Sequence, residues 1–379
     1  MARTIIFVAR HYPPEASGGA RRPFLLVQAL RKAGVRVIII SPFGDTDDTD
    51  HIRVSYRNAA NLKATTKESV NVSSSPRDFV RTWLRWPDPD IVWARKVQTA
   101  LLQQLIEADC IITTSPPESL ALCGAYLAQK LKIPWFPEFR DTWITASHRV
   151  VLKNSRIRRM GERYIARKAL RGASGFFAVS QAVANDIMDL TQAHTPYKII
   201  GHFSTPPKSR ADLPKESINL VHAGGFSLSD HRRHLSKLIE SLKQIAKAHP
   251  NLHLHIAGQL TTKEADLLDA TTEFETTWHG TVPLAQSQAL QAGADGLLLC
   301  TPDNSHALPG KYAEYILTGR PIYYTGGGDW IHLANPDVPL LRLEDGIKAF
   351  GQSMTYASNS ALTADAAALI VRDFITQNL

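Results

Sequence analysis

The chain opens with a short β-branched apolar run, a glycine-bearing loop, a helix-like stretch and a second apolar run. This order constrains the fold more than any other feature. Thr4–Ala9 is the first run, and His11–Ala20, with Pro13, Pro14, Gly18 and Gly19, reads as loop. Phe24, Leu25, Val27, Gln28, Ala29 and Leu30 suit a helix, which Gly34 ends before the run Val35–Ile40. Strand, helix, strand in close succession is a βαβ unit, which implies a parallel sheet with helices on both faces. Asp109–Thr114, followed by Pro116–Pro117 and an alanine-rich helix to Lys132, repeats the pattern. Gly175–Val179 adds another short buried strand.

The alternation halts and then resumes. Residues 201–216 (GHFSTPPKSRADLPKE) are polar, carry prolines and show no periodicity, so they are expected to form a linker. Beyond it, Ile218–His222 reads as a strand, Gly224–Gly225 as a turn, Leu235–Ala248 as a helix and Leu252–Ala257 as a strand. Gly296–Cys300 and Ile322–Tyr324 are further buried strands. The expected organisation is therefore an α/β domain over 1–200, a second over 217–363, and a terminal helix within 364–379 that packs on one of the sheets. A length of 379 residues suits two such domains.

Several classes drop out on composition. No apolar run approaches the ~20 residues needed to span a bilayer, and the N-terminus lacks a charged-then-apolar signal segment. Cys110, Cys123 and Cys300 are odd in number and widely spaced, which suits reduced core thiols in a cytoplasmic protein. The fourteen histidines form no HExxH or paired HxH set, and there is no serine-hydrolase elbow or P-loop. His253 and His255 alternate on a strand and read as packing residues. No metal and no cofactor is expected. The charge is uneven: residues 1–200 hold 29 Lys and Arg against 17 Asp and Glu, a balance of +12, and the remainder holds 14 against 18, a balance of −4. A basic first half suits an anionic partner such as a membrane surface, a lipid diphosphate or nucleic acid. Its basic residues are not interleaved with stacking aromatics, which argues against nucleic acid.

The strongest chemical segment is 306–323, HALPGKYAEYILTGRPIY. Lys311 and Glu314, three apart at a helix start, share one face, with Tyr315 and Leu317 toward the core. Pro309–Gly310 suits the turn into that helix, whose first N–H groups favour phosphate. Lys311 can neutralise a diphosphate and Glu314 can accept two hydrogen bonds from a ribose diol. A solvated Lys–Glu pair on a surface helix has the same spacing.

This segment resembles the PxKxxEYxxxGxPI signature of GT-B glycosyltransferases similar to family 4. Pro309, Lys311, Glu314, Tyr315, Gly319, Pro321 and Ile322 match it. The resemblance implies two Rossmann-like domains facing across a cleft and a nucleotide diphosphate-sugar donor held mainly by the second. It also implies no metal, and retention of anomeric configuration. In those enzymes the glutamate grips the donor ribose and the lysine lies by the diphosphate.

Other segments resemble the same family. HYPPEASGGARR (His11–Arg22) is similar to its N-terminal glycine loop, where Gly18 and Gly19 admit close approach of a ligand. Arg21 and Arg22 would then face an anionic acceptor or the leaving diphosphate; an ordinary βα loop would also use these glycines. LVHAGGFSLSDHRRHLSKLIESL (Leu220–Leu242) looks like the first strand, loop and helix of the donor domain. It departs from the common form: Gly225 follows Gly224 where an arginine is usual, and Arg233 stands where a lysine is usual. Arg232 would serve if the register slips by one, and a guanidinium can clamp a diphosphate with two hydrogen bonds. His306 occupies the position of a second glutamate that touches the donor hexose, and Gly201–His202–Phe203 replaces the usual NG turn that closes the first domain. EFRDTW (Glu138–Trp143) resembles a DxRDxW segment, in which Arg140 and Asp141 would orient the acceptor with Asp141 as a possible base. The alternative is a structural Arg140–Asp141 pair.

The expected reaction is metal-independent transfer of a sugar to a hydroxyl of a glycan or lipid-linked acceptor. Lys311, Arg233 and Asp141 would carry the chemistry. Arg149–Arg171 holds nine Lys and Arg against Glu162 alone, with Arg156, Arg159, Arg163 and Arg167 at helical spacing. It suits a helix lying on the anionic cytoplasmic face of a membrane, or a solvated basic helix. A non-hydrolysing nucleotide-sugar epimerase of the same fold, and a non-catalytic nucleotide-sugar or nucleic-acid binder, are the alternative functions.

Overall fold

The computed structural model describes residues 3–15, 18–44, 47–56, 85–104, 106–144, 156–191, 195–305, 308–347 and 363–379. His306 lies outside them, as does Arg149 in the basic segment. The chain divides into two units, Met1–Gly201 with Ala364–Leu379, and His202–Thr363.

The first unit is built on a parallel sheet of order β3-β2-β1-β4-β5-β6-β7. Its strands are β1 Thr4–Val8, β2 Arg36–Ser41, β3 His51–Arg53, β4 Cys110–Ser115, β5 Trp135–Phe139, β6 Phe176–Ala178 and β7 Tyr197–Ile199. Its described helices are α1 Gly18–Lys32, α2 Ile91–Gln103, α3 Ser119–Leu131, α4 Arg156–Leu170 and α5 Gln181–Thr191. The central strands β1 and β4 are buried on both faces apart from Thr4, with apolar side chains over Ile5–Val8 and Cys110–Ile112, as a sheet covered by helices on both sides requires.

The second unit repeats the plan with a sheet of order β10-β9-β8-β11-β12-β13. It comprises β8 Ile218–Ala223, α6 Leu235–Ala246, β9 Leu252–Ala257, α7 Thr262–Asp269 and β10 Glu275–Gly280. Then come α8 Leu284–Gly293, β11 Gly296–Cys300, α9 Gly310–Ile316, β12 Ile322–Thr325, α10 Trp330–Leu333 and β13 Leu340–Arg342. The period-two alternation of β8 and β11 divides the core. Leu220 and Leu298 join one apolar layer with α6, while Val221, Leu297 and Leu299 join another with α9.

Two features bear on how the units are organised. The stretch 201–216 does not stand apart as a linker. Ala211 N–H donates to Ala289 O, and Thr205 and Pro214 carbonyls accept from Gln288 and Asn219, so it is packed on the second unit. Those backbone groups are satisfied by neighbours instead of by periodic structure. The terminal helix, α11 Ala364–Gln377, belongs to the first unit, where Phe374 meets Phe136 and Phe177 edge-on. Cys110, Cys123 and Cys300 are buried free thiols.

Candidate functional site

In both sheets the strand order reverses once, between β1 and β4 and between β8 and β11. Ligands of open α/β sheets bind beyond the carboxyl ends of strands at such a reversal. A cavity of about 100 Å³ lies there in the second unit. The end of β8 and its turn supply His222, Ala223, Gly224 and Gly225, and β11 supplies Leu299 and Cys300. Ser229 and Arg233 come from the loop before α6, and Pro309, Gly310, Lys311 and Tyr315 from the start of α9. Gly224 has φ +133, where a side chain would be strained. The same turn is closed against Gly258, whose substituent would lie 2.0 Å from Gly224 O. Tyr315 fixes α9 over the strand ends: its hydroxyl accepts from Ala223 N–H (2.9 Å) and donates to Leu298 O (3.2 Å).

Among the described residues the cavity wall carries two cations, Arg233 and Lys311, and no carboxylate. Arg233 Nε is buried without a hydrogen-bond partner. Lys311 Nζ stands 3.3 Å from Glu314 Oε2. Glu314 does not line the cavity; it is 4% exposed, and its Oε1 accepts from Gln291 Nε2. Gln291, itself fully buried, donates also to Ser287 Oγ (3.1 Å). The Lys311–Glu314 pair is thus tied into the interior and is not a solvated surface pair.

The two adjacent arginines are separated by their surroundings. Arg232 is bound to Asp230 (2.7 Å) and faces a second cavity of about 290 Å³ that it lines with Lys237 and Asp303. Arg233 lines both cavities. His253 and His255 are buried, their rings stacked at 3.9 Å, and neither reaches the site. Among the described residues no cluster of His, Cys, Asp or Glu suits a metal ion.

In the first unit Gly19 and Arg22 come together with Glu138 and Arg140. Pro23 lies inside α1 and has no N–H, so the carbonyl four residues back, that of Gly19, lacks its helical partner. Arg140 Nη1 fills that place at 2.8 Å. The other nitrogens of Arg140 donate to Ser115 O and Pro116 O. Arg22 pairs with buried Glu138 (2.7 Å) and donates to Gly201 O (2.6 Å), so it is held in the interior instead of facing an anionic acceptor. Arg21 is half-buried, Gly18 and Gly19 begin α1, and Asp141 is exposed. Arg140 makes no ion pair with Asp141; its guanidinium is spent on backbone carbonyls.

Residues 16–203 match the family model described as Glycosyltransferase Family 4. Sucrose-phosphate synthase from Thermosynechococcus elongatus superposes with a TM-score of 0.64 at 14% identity, covering 99% of this chain and 98% of that one. HepE from Anabaena, in complex with UDP and glucose, gives 0.54 at 14% over 99% and 97%. A protein from Listeria monocytogenes described as a putative UDP-N-acetylglucosamine 2-epimerase gives 0.56 at 9% over 100% and 96%. No curated protein sequence matches. This chain has the GT-B glycosyltransferase fold and resembles family 4.

Sequence reasoning on this GT-B protein passed over two buried polar residues, His222 on the wall of the β8/β11 cavity and Gln291 behind it. His222 shares its face of β8 with Ile218 and Leu220, and that polar intrusion two residues before Gly224 was the available signal. Gln291 gives none, because α8 has scarcely any apolar periodicity and its buried face includes Gln288 and Gln291.

Proposed function

We propose that this GT-B protein moves a sugar from a nucleotide diphosphate-sugar to a hydroxyl acceptor. One observation carries the reading: a cavity at the β8/β11 reversal lined by Lys311 and Arg233, without a carboxylate and with Arg233 Nε unpartnered. Two half-buried cations on one cavity wall attract an anion, and a diphosphate supplies that charge. Gly224, Gly225, Pro309 and Gly310 leave backbone beside the anion, and Glu314 behind Lys311 receives the ribose diol. Cationic stabilisation of the leaving diphosphate supplies the main catalytic effect without a metal. Gly18, Gly19, Arg21 and Asp141 of the first unit provide the acceptor side, with Asp141 as the base. A glycan or lipid-linked sugar beside an anionic membrane is the acceptor that the basic first half favours.

The test is thermal shift against UDP, GDP and ADP and their sugars, followed by turnover of the nucleotide-sugar that stabilises the protein. Transfer to an added glycan or lipid-linked sugar is expected, and it persists in excess EDTA. Epimerisation of the sugar without transfer, or loss of turnover in EDTA restored by magnesium, overturns the respective part of the reading.

A further inference from the structure

At the end of β8 one buried polar atom has no hydrogen-bond partner. It is Nε2 of His222, a residue 5% exposed on the cavity wall. The other ring nitrogen, Nδ1, lies 2.9 Å from Leu298 O. A carbonyl can only accept, so Nδ1 carries the proton and Nε2 presents a lone pair. Stacking on Phe226, with ring centroids 4.3 Å apart, holds the imidazole in this orientation. The lone pair faces the clear side of Gly224, where a Cβ would stand 3.9 Å from Nε2 and 3.8 Å from Lys311 Cε.

The groups around this atom set its protonation. Lys311 approaches from α9 and Arg233 from the loop before α6; the neighbouring Tyr315 phenol and Cys300 thiol are neutral. On the adjoining strand the partner in register is Ile256, which is apolar. Burial, with the two cations, depresses the imidazole to about 4, so the ring is neutral near pH 7. A neutral Nε2 and a phosphate oxygen are both acceptors and cannot bond. An arriving diphosphate reverses the local field, because it places negative charge against all three groups.

We propose that His222 takes up a proton from solvent when a diphosphate group enters this cavity, and donates Nε2–H to a phosphate oxygen. The imidazolium then stands with Lys311 and Arg233 as a third cation on the leaving group. The proton departs with the nucleoside diphosphate product, so the product binds less tightly as pH rises. This rests on the nucleotide-sugar reading above and assigns that site a proton-coupled ligand.

The experiment is calorimetry with UDP-glucose, GDP-glucose and ADP-glucose, whose diphosphate does not titrate near neutrality. Titrations in phosphate and in Tris at pH 7 measure protons taken up per ligand. Uptake approaching one proton is expected, with affinity weakening by up to about tenfold per pH unit between pH 6 and 8. His222→Gln should abolish the uptake and flatten the pH dependence. Nitrogen-15 histidine spectra of the wild-type protein report the same event, from one ring N–H to two on binding. They decide the matter even if the variant does not fold. Binding with no uptake, and a lone pair retained on Nε2, overturns the proposal and makes His222 a neutral acceptor for a ligand hydroxyl. Failure of all three nucleotide-sugars to bind overturns the nucleotide-sugar reading and this proposal with it.

Discussion

Glu314 is gripped from two sides before any ligand arrives, by Gln291 Nε2 at one oxygen and Lys311 Nζ at the other. A carboxylate so fixed holds its charge in a set direction, as recognition of a diol requires. Glu314→Gln removes the charge that strengthens those bonds and should weaken nucleotide binding by roughly 1.5–3 kcal/mol. Calorimetry with the nucleotide that stabilises the protein measures this, and unchanged affinity in a folded variant removes the ribose assignment. A second residue-scale pair is Arg22 with Glu138, whose side chains are 9% and 0% exposed. Arg22→Met leaves the Glu138 carboxylate buried without its cation, a loss of about 3–5 kcal/mol. Combining it with Glu138→Leu should cost less than Arg22→Met alone, since no charge is stranded. Urea unfolding of the single and double variants tests this; an Arg22→Met loss below about 1 kcal/mol would show the pair to be dispensable.

At the scale of elements, β8, β9 and β10 are joined through side chains as well as backbone. Asn219 Nδ2 donates to Pro214 O and Ser217 O, which turns Oδ1 toward His255 Nε2 at 3.0 Å. His255 Nε2 must then carry its proton, and Nδ1 accepts from His279 Nε2 at 3.2 Å. Burial depresses His255 to about 3, with His253 and His279 lowered as well. In the unfolded chain these rings titrate near 6.5. The folded state therefore binds fewer protons, and the stability is fully present above pH 6.5 and is lost as pH falls toward 3. His255 alone should contribute a slope of up to about 1.4 kcal/mol per pH unit in that window. Urea midpoints from pH 8 to 4.5 should decline below 6.5, and His255→Gln should flatten the decline; parallel curves would remove His255 as the source. These elements also show what was legible. Strands buried on both faces, such as Gly296–Cys300, announce themselves as continuous apolar runs, and β11 spans those same residues. The edge strands β3, β7 and β13 are three residues long and partly or wholly exposed, so their composition is that of loops. The Lys311–Glu314 segment was readable because its members are local. Arg22–Glu138 and Arg140–Gly19 join residues more than a hundred positions apart, and no periodicity encodes such pairs.

For the whole molecule the governing quantity is charge, +8 overall and +12 in residues 1–200. Part of that charge is displayed on α4 among apolar side chains. Ile157, Met160 and Tyr164 are 77%, 71% and 69% exposed and follow a three- and four-residue spacing, which forms one stripe. Arg156, Arg159 and Arg163 are exposed beside them. The opposite face is committed to the interior: Arg158 and Glu162 form a buried pair at 3.0 Å, and Gly161 admits the ring of Trp86. A helix anchored on one side and apolar-basic on the other suits shallow insertion among anionic headgroups. No helix among the described residues is long and apolar enough to cross a membrane, so attachment through α4 would be to the surface. Each arginine near an anionic bilayer adds about 1 kcal/mol, and the attraction weakens with salt. Replacing Arg156, Arg159 and Arg163 together by Gln should therefore reduce co-sedimentation with phosphatidylserine vesicles at low salt. Replacing Ile157, Met160 and Tyr164 by Ser should reduce it in a way that salt alters far less, because that contribution is apolar. Both sets should leave nucleotide affinity intact, since Lys311 and Arg233 belong to the other unit. If the wild-type protein stays in the supernatant at low salt, the stripe has another use and a soluble acceptor becomes the better reading.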